Sequence, residues 1–419
     1  MLTYLRKVLR LILPYASGEI AGRLFSVAAL MLLGHAYGVQ TMGVYSLAVA
    51  ISWYTVPFVD FGLRHIGARL IARHPGHVSF IVSCVQRRRG LMAAAAVPLL
   101  MIYAILARVP ASLKWFLFFF PATSLLYGLS LDWVAWGKER FQLQTLLRAL
   151  VPFSILFSLL IGYVAHSQVL WYAVIGNILG YTLQIVALRR WWDNSHDHHD
   201  KARPEDATAD VLQSLSFRRT GITGMTWFAQ MAFNSIDQLM LGVMSTTEQV
   251  GLYSSAYRIL TQVLVAYYWI ILPLFPMLAR QSEQRRKELL QPRILLILAG
   301  AGIALGAPVL MCRRILLEAV FGRQFVVAAP LVAVLLWAIP LDFVTSYLNN
   351  AYLAWDMEKR LLPAVAFASG INIICNLVFI PRYGAMAAAL STIIAYFVYL
   401  GGLLVIGAKL RHSEHLGSR

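Results

Sequence analysis

Residues 33–51, LGHAYGVQTMGVYSLAVAI, return 208 positions later as residues 241–259, LGVMSTTEQVGLYSSAYRI. Without a gap, Leu33, Gly34, Gly43, Tyr45, Ser46, Ala48 and Ile51 coincide with Leu241, Gly242, Gly251, Tyr253, Ser254, Ala256 and Ile259. In each copy the stretch closes one apolar run and opens the next. A second echo, at an offset of 219 residues, pairs Ala135, Trp136 and Glu139 with Ala354, Trp355 and Glu358. Self-similarity over half a chain is how a duplicated membrane protein reads. The expectation is two like halves, each built of the same succession of apolar segments.

Working outward, the apolar segments are long. The 419 residues are 59% hydrophobic and 13% charged, against roughly 25% charged in an ordinary soluble domain, so a water-soluble core is excluded. A membrane span needs about 20 mainly apolar residues. That measure predicts twelve helices, near residues 9–36, 41–61, 90–107, 113–134, 143–165, 168–189, 219–243, 249–278, 293–311, 328–353, 361–380 and 384–408. The fold class is thus all-α integral membrane, two six-helix repeats. Because six is even, the halves point the same way, a parallel repeat about an axis along the membrane normal. The hydrophilic stretch from Arg190 to Arg219 separates them. The reading is therefore an N-terminal lobe at 1–190, a cytoplasmic linker at 191–217, a C-terminal lobe at 218–408 and a cytoplasmic tail at 409–419. The start, Arg6, Lys7 and Arg10 before an apolar stretch to Tyr37, is too long for the h-region of a removable signal and reads as the first span.

The formal charge of +17 belongs to topology, not to nucleic acid. With the N-terminus in the cytoplasm, 28 of the 36 Lys and Arg residues fall in inner segments and six in outer ones, leaving Arg23 and Arg258 within spans. This bias puts both termini inside. Segment Leu63 to Arg73 sets His65, Arg69 and Arg73 against Ile66, Leu70 and Ile71 and reads as an amphipathic helix on the anionic inner leaflet. Cys84, Cys312 and Cys375 are too far apart for a disulfide framework or CxxC motif. The run His196, Asp197, His198, His199, Asp200 has no other His or Cys cluster to complete a metal site and reads as solvated linker. No GxxxxGK[ST] loop occurs, so energy would come from a gradient, not from ATP by that route.

Charges inside a span carry a cost of about 2.5–3.5 kcal/mol on insertion scales and mark cavities, ion pathways or buried pairs. Glu19 and Arg23 are four apart on one helix face. They read as a structural ion pair, or as a cavity arginine for an anionic headgroup with a carboxylate beside it. In the seventh helix Trp227, Gln230, Asn234 and Asp237 form a polar stripe; in the eighth stand Tyr257, Arg258, Thr261 and Gln262. Asp237 and Arg258 are expected at similar depth, as a salt bridge. Asp342, Ser346 and Asn349 mark the tenth helix, and Ser369, Asn372 and Asn376 the eleventh; for the Asn and Ser residues interhelical hydrogen bonding is the competing reading. Asp342 needs a partner or a proton. Pro14, Pro57, Pro152, Pro273, Pro276 and Pro340 are expected to kink their helices.

Seven segments carry a family resemblance: Gly43-Val-Tyr-Ser-Leu-Ala, Asp60-Phe-Gly-Leu, Asp132-Trp-Val-Ala-Trp-Gly-Lys-Glu-Arg-Phe, Asp237-Gln-Leu-Met-Leu-Gly, Val250-Gly-Leu-Tyr-Ser-Ser-Ala-Tyr-Arg, Phe321-Gly-Arg-Gln-Phe, and Asn372-Ile-Ile-Cys-Asn-Leu-Val-Phe-Ile-Pro-Arg-Tyr-Gly-Ala. In this order the chain resembles a Wzx-type polysaccharide flippase of the multidrug/oligosaccharidyl-lipid/polysaccharide (MOP) exporter superfamily, over essentially its whole length. The resemblance implies two V-shaped lobes around a cationic cavity, and alternating-access transfer of an undecaprenyl diphosphate-linked oligosaccharide from the inner to the outer leaflet. It implies a bacterial inner-membrane location, with polymerase and glycosyltransferases as possible partners beside substrate and lipids. Arg23 and Arg258, one from each half, are then the expected diphosphate ligands, with Trp227, Gln230 and Asn234 facing the sugar. Arg64 or Arg148 would join from the cytoplasmic end. Glu19, Asp237 and Asp342 are candidates for charge pairing or for coupling to H+ or Na+; no other cofactor is expected. The alternatives are a cation-coupled drug antiporter of the same superfamily, and a membrane glycosyltransferase or ligase, for which no sizeable outer loop supplies a catalytic set.

Overall fold

The computed structural model describes residues 2–138, 140–166, 168–194, 211, 213, 215–271, 278, 288–355 and 357–412. The run His196–Asp200, Glu139, Pro273 and Pro276, and the side chains of Arg6, Lys7, Arg10, Trp227 and Asn234, lie outside the described residues. Helices are α1 (Leu2–Asp60), α2 (Leu63–Arg73), α3 (Val78–Leu106), α4 (Ala111–Thr123), α5 (Asp132–Gly137), α6 (Phe141–Val164), α7 (Val169–Asp193), α8 (Phe217–Met244), α9 (Thr247–Ile271), α10 (Pro292–Phe321), α11 (Ala329–Leu335), α12 (Ala338–Ala354) and α13 (Glu358–His412). Short 3-10 turns lead into α3, extend α4 to Leu129 and precede α11. Long apolar runs take this form because a helix satisfies its own backbone polar groups without water.

Among the described residues seven helices are long and apolar enough to cross a membrane, or eight if the 45° bend between Arg323–Leu335 and Ala338–Ala354 joins one span. Two of them are far longer than one crossing. At about 1.5 Å per residue, the 59 residues of α1 and the 55 of α13 would each stretch well beyond a hydrocarbon layer of about 30 Å. Each is broken at a glycine: Gly38 at φ 81°, ψ −175° and Gly384 at φ 54°, ψ −133°. Only glycine takes such angles without strain.

Two compact units emerge: Met1–Tyr37 with Leu47–Phe228, and Gly38–Ser46 with Ala229–Arg419. The division falls inside α8, and nine residues of α1 belong to the second unit.

Within the first unit, helices meet through small residues, as they do where lipid offers no hydrophobic contrast. A side chain at Gly176 would come within 2.6 Å of the Ile155 backbone and one at Gly180 within 2.6 Å of Val151, which locks α6 to α7. Gly18 lies against Thr145, and Gly22 against Ala149 and Pro152, which fixes α1 on α6. In the second unit Gly302 of α10 sits against the backbone of Pro340 at 2.7 Å. Large apolar side chains such as Leu91, Val164, Met311 and Phe397 point outward, the surface a lipid solvent requires.

The apolar face of α2 is not given to lipid. Leu63, Leu70 and Ile71 pack with Val78, Ile81, Val85, Trp133, Val134, Ala135, Leu188 and Trp192 in one buried cluster. Gly67 rests 2.6 Å, at its would-be Cβ, from the Trp133 ring. The amphipathic pattern is real, with Arg69 and Arg73 exposed, but its apolar side is buried against α5, because Trp133 fills the groove that Gly67 leaves.

Candidate functional site

Glu19 and Arg23 pair as their spacing predicts: Arg23 Nη2 lies 2.8 Å from Glu19 Oε1, and Arg23 Nε also donates to it at 3.0 Å. Both side chains are about two-fifths exposed, 40% and 38%. An accessible guanidinium in a membrane-crossing helix is available to an anion while its carboxylate neighbour limits the charge.

The first unit also holds a buried charge network that the sequence reading left unassigned. Asp132, at the N-terminus of α5, is fully buried and its Oδ2 is 3.2 Å from Arg148 Nη2 of α6 and 3.7 Å from Arg64 Nη2 of α2. Tyr127 Oη donates to the same oxygen at 3.2 Å. Arg89 of α3, completely buried, donates to the carbonyls of Ser130 at 2.9 Å and Tyr127 at 3.2 Å, and sits 3.5 Å from Asp60 at the end of α1. Burial pushes the Asp132 carboxyl up, but Arg64, Arg148 and Arg89, with the Tyr127 bond, outweigh it and hold it below its usual value. It is a charged keystone at the end of the span Ala111–Leu129. The Arg64 guanidinium also lies over the Trp136 ring, 5.1 Å from its centre, a cation–π contact.

By sequence Arg89 counts, with Arg87 and Arg88, among the 28 basic residues of the inner segments. A signal for its burial exists: Ile81, Val85 and Arg89 are four apart on one helix face and all fully buried. Arg64 and Arg148, expected to swing toward the substrate, are instead engaged with Asp132.

In the second unit Asp237 of α8 is fully buried. Asn376 Nδ2 donates to its Oδ1 at 2.6 Å, while Tyr253 Oη and Thr392 Oγ1 each donate to its Oδ2 at 2.9 Å. Asn376 Nδ2 also reaches Asn372 Oδ1 at 3.0 Å. The expected Asp237–Arg258 salt bridge is therefore replaced by neutral donors from α9 and α13. The reason is rotational. Five residues of helix separate Tyr253 from Arg258, about 140° around the axis, so the face that presents Tyr253 to Asp237 turns Arg258 away. Arg258 lies within electrostatic reach of Tyr45.

Asp342 of α12 accepts from Tyr396 Oη at 3.2 Å, and Asn349, two turns on, accepts from Tyr399 Oη at 2.9 Å. Both tyrosine rings lie against Phe233, Tyr396 edge-on and Tyr399 tilted, with ring centres 5.0 and 5.2 Å away. Gln230 is half-buried on α8. The structure thus brings Glu19 to Arg23, and Asp237 to Asn372 and Asn376, and leaves Asp342 in a separate cluster.

These helices, with buried polar groups and a half-exposed arginine, are the frame in which the relatives become informative. The polysaccharide biosynthesis protein family matches residues 8–282. The chain belongs to that family. No curated protein matches the chain by sequence. Among solved structures, this family member is similar to the lipid II flippase MurJ in an inward closed conformation, with 14% identity, 94% of this chain and 87% of that one covered, and a TM-score of 0.65. It is also similar to an inward-facing multidrug resistance MATE transporter of the MOP superfamily (12% identity, 94% and 96% covered, TM-score 0.70). A third is the MATE multidrug transporter DinF-BH (13% identity, 97% and 95% covered, TM-score 0.63). At such identities the likeness fixes the fold: this polysaccharide biosynthesis protein is an all-helical, multi-pass membrane protein with the architecture of MOP transporters.

Proposed function

We propose that the protein moves a polyprenyl diphosphate-linked oligosaccharide, the Wzx-type activity, from the inner to the outer leaflet of the bacterial cytoplasmic membrane, with both termini cytoplasmic. The observation that carries this reading is membership of the polysaccharide biosynthesis family in a chain with a transporter fold. Dividing α1 at Gly38 and α13 at Gly384 raises the eight candidate spans to ten, and α8 and α9, of 28 and 25 residues, would bring the number to twelve. The half-exposed Arg23 supplies a forked donor that matches a phosphate oxygen pair, and Arg258 is the second candidate, from the other half of the chain.

Coupling is assigned to Asp237. Its carboxylate accepts from Asn376 Nδ2, Tyr253 Oη and Thr392 Oγ1, and the same Asn376 amide also donates to Asn372 Oδ1. Asn372 adds a further side-chain hydrogen bond to the same carboxylate. A buried carboxylate beside two hydroxyls and two amides suits a proton, or Na+ once the amides turn their oxygens toward it, with Asp342 as a second carboxylate.

The test is genetic and chemical. In a strain lacking the chromosomal copy, lipid-linked oligosaccharide is expected to accumulate on the inner leaflet and surface glycan to disappear. The wild-type chain restores export; Arg23→Ala with Arg258→Ala, at equal protein level, does not. Unchanged surface glycan in the deletion, with heightened sensitivity to cationic drugs, would instead establish the antiporter reading.

A further inference from the structure

Within the second unit, the middle of α12 is inside out for a membrane helix. Its large side chains Phe343, Val344, Tyr347 and Leu348 are buried, at 1–5% exposure, whereas Asp342, Ser346, Asn349 and Asn350 are each partly exposed. Positions 342, 346 and 349 share one helix face. Lipid cannot solvate such a face, so what it meets is water or a polar ligand.

The face is also braced from behind. Tyr396 Oη donates to Asp342 Oδ1 and Tyr399 Oη to Asn349 Oδ1, at 3.2 and 2.9 Å. Ser346 adds a bond to Asp342, while Asn350 Nδ2 is turned back onto the Ser346 carbonyl at 2.8 Å. The two tyrosine rings rest on Phe233, and all three rings are buried. One oxygen of each polar side chain is thus held by a fixed hydroxyl. Among the described residues no acceptor engages Asn349 Nδ2, which leaves a forked N–H donor in a set orientation. Seven residues away, about 10 Å along the helix axis, the Asp342 carboxylate supplies acceptor lone pairs.

The chemistry of this face selects its ligand. With the rings buried, no aromatic surface is offered to a flat cation. An oriented amide donor and a carboxylate acceptor match sugar hydroxyls, each of which both donates and accepts, and their separation spans more than one pyranose ring. Asp237 carries coupling in the reading above, so the Asp342 carboxylate is available to the sugar.

We propose that Asp342 and Asn349 form a hydroxyl-reading track for the sugar portion of the cargo, with Tyr396 and Tyr399 as positioning residues, a proposal that rests on the lipid-linked glycan reading above.

The test compares two ligands on the purified full chain in lipid nanodiscs: the lipid-linked oligosaccharide that accumulates in the deletion strain, and undecaprenyl diphosphate with no sugar attached. Wild-type protein is expected to bind the oligosaccharide form more tightly. Asn349→Ala is expected to weaken that binding about tenfold, and Tyr399→Phe, which keeps the ring against Phe233, several-fold. Affinity for undecaprenyl diphosphate is expected to stay unchanged in both, which also reports that each variant is folded. A merely structural role for the cluster lowers both affinities together; that result, or unchanged affinity of both variants for the oligosaccharide form, would overturn the proposal. Wild-type protein that binds both ligands equally refutes the track and leaves the glycan reading standing. If it binds neither, the two fall together.

Discussion

At the scale of single residues, Asp132 decides how the basic end of the first unit is held. Three arginines converge on it or on its neighbours, from α2, α3 and α6. Removing one partner from a buried charge set costs about 3–5 kcal/mol; half-exposed Arg148 places Asp132→Asn toward the lower end. The variant is expected to lose thermal stability in detergent by several degrees, and Asp132→Asn with Arg148→Gln to recover part of it. His65 makes a second prediction. Burial, with Arg64 and Arg69 nearby, lowers its pKa from 6.5 to about 4, so the imidazole stays neutral against the edge of Trp136, 4.9 Å away. The unfolded chain takes up a proton below pH 6.5 that the folded chain refuses until about pH 4. Stability from this group is therefore complete above pH 6.5 and falls as pH drops toward 4, by a few kcal/mol at most at about 1.4 kcal/mol per pH unit. His65→Phe keeps the ring contact and is expected to flatten that part of the stability–pH profile between pH 6.5 and 4.5.

Asp132 and Asp60 were visible in the sequence as motif residues, yet no chemistry could be given to them. Their meaning depends on Arg89, Arg64 and Arg148, which are scattered through three helices, and on burial, which a count of loop charges cannot register. Glu19 and Arg23 were legible because four residues of helix fix their geometry locally. Asp237 and Arg258 were misread because their pairing depends on the rotation of α8, α9 and α13 about their axes, to which hydropathy is blind.

At the scale of elements, the expected junctions at residues 37–40 and 381–383 fall at Gly38 and beside Gly384, and both breaks come from glycine. Proline was expected to supply kinks. Pro152 lies inside continuous α6, whereas Pro340, in the first turn of α12, directly follows the 45° bend between Arg323–Leu335 and Ala338–Ala354, where its missing N–H interrupts the helical ladder. At the α13 break Gln249 Oε1 accepts from the Ala385 N–H at 2.9 Å, which replaces a backbone bond that the break removes. Gly384→Ala would hold a non-glycine residue at φ 54° and push a Cβ to 2.7 Å from Gln249; a loss of about 1–3 kcal/mol is expected, read as a lower melting temperature. Gly300, inside α10, meets nothing within 4 Å. Gly300→Ala is expected to be neutral or to gain up to about 1 kcal/mol from helix propensity, which makes it the matched control.

At the scale of the molecule, the prediction concerns energy coupling. Asp237→Asn keeps the size of the side chain and its bonds from Tyr253 and Thr392 but removes the charge. In vesicles from cells expressing each variant, export driven by a Na+ or pH gradient is expected to fall at least tenfold for Asp237→Asn, with binding of the lipid-linked substrate retained. A wild-type rate would move coupling to Asp342, which is anchored by the hydroxyls of Tyr396 and Ser346.

The sequence alone determined the solvent in which this protein folds, its all-helical class and an internal echo, because hydropathy and a 208-residue period are local or repeated signals that survive without coordinates. It also suggested the family. Tertiary structure alone decided that the repeated GxYS segments pack on each other, that α2 spends its apolar face on Trp133, and that Asp237 is held by neutral donors instead of Arg258. Those facts depend on helix rotation and depth. In a medium where every outward face is apolar, rotation and depth are set by which small residue admits a neighbouring backbone and which polar groups find one another, and neither is written in composition or period.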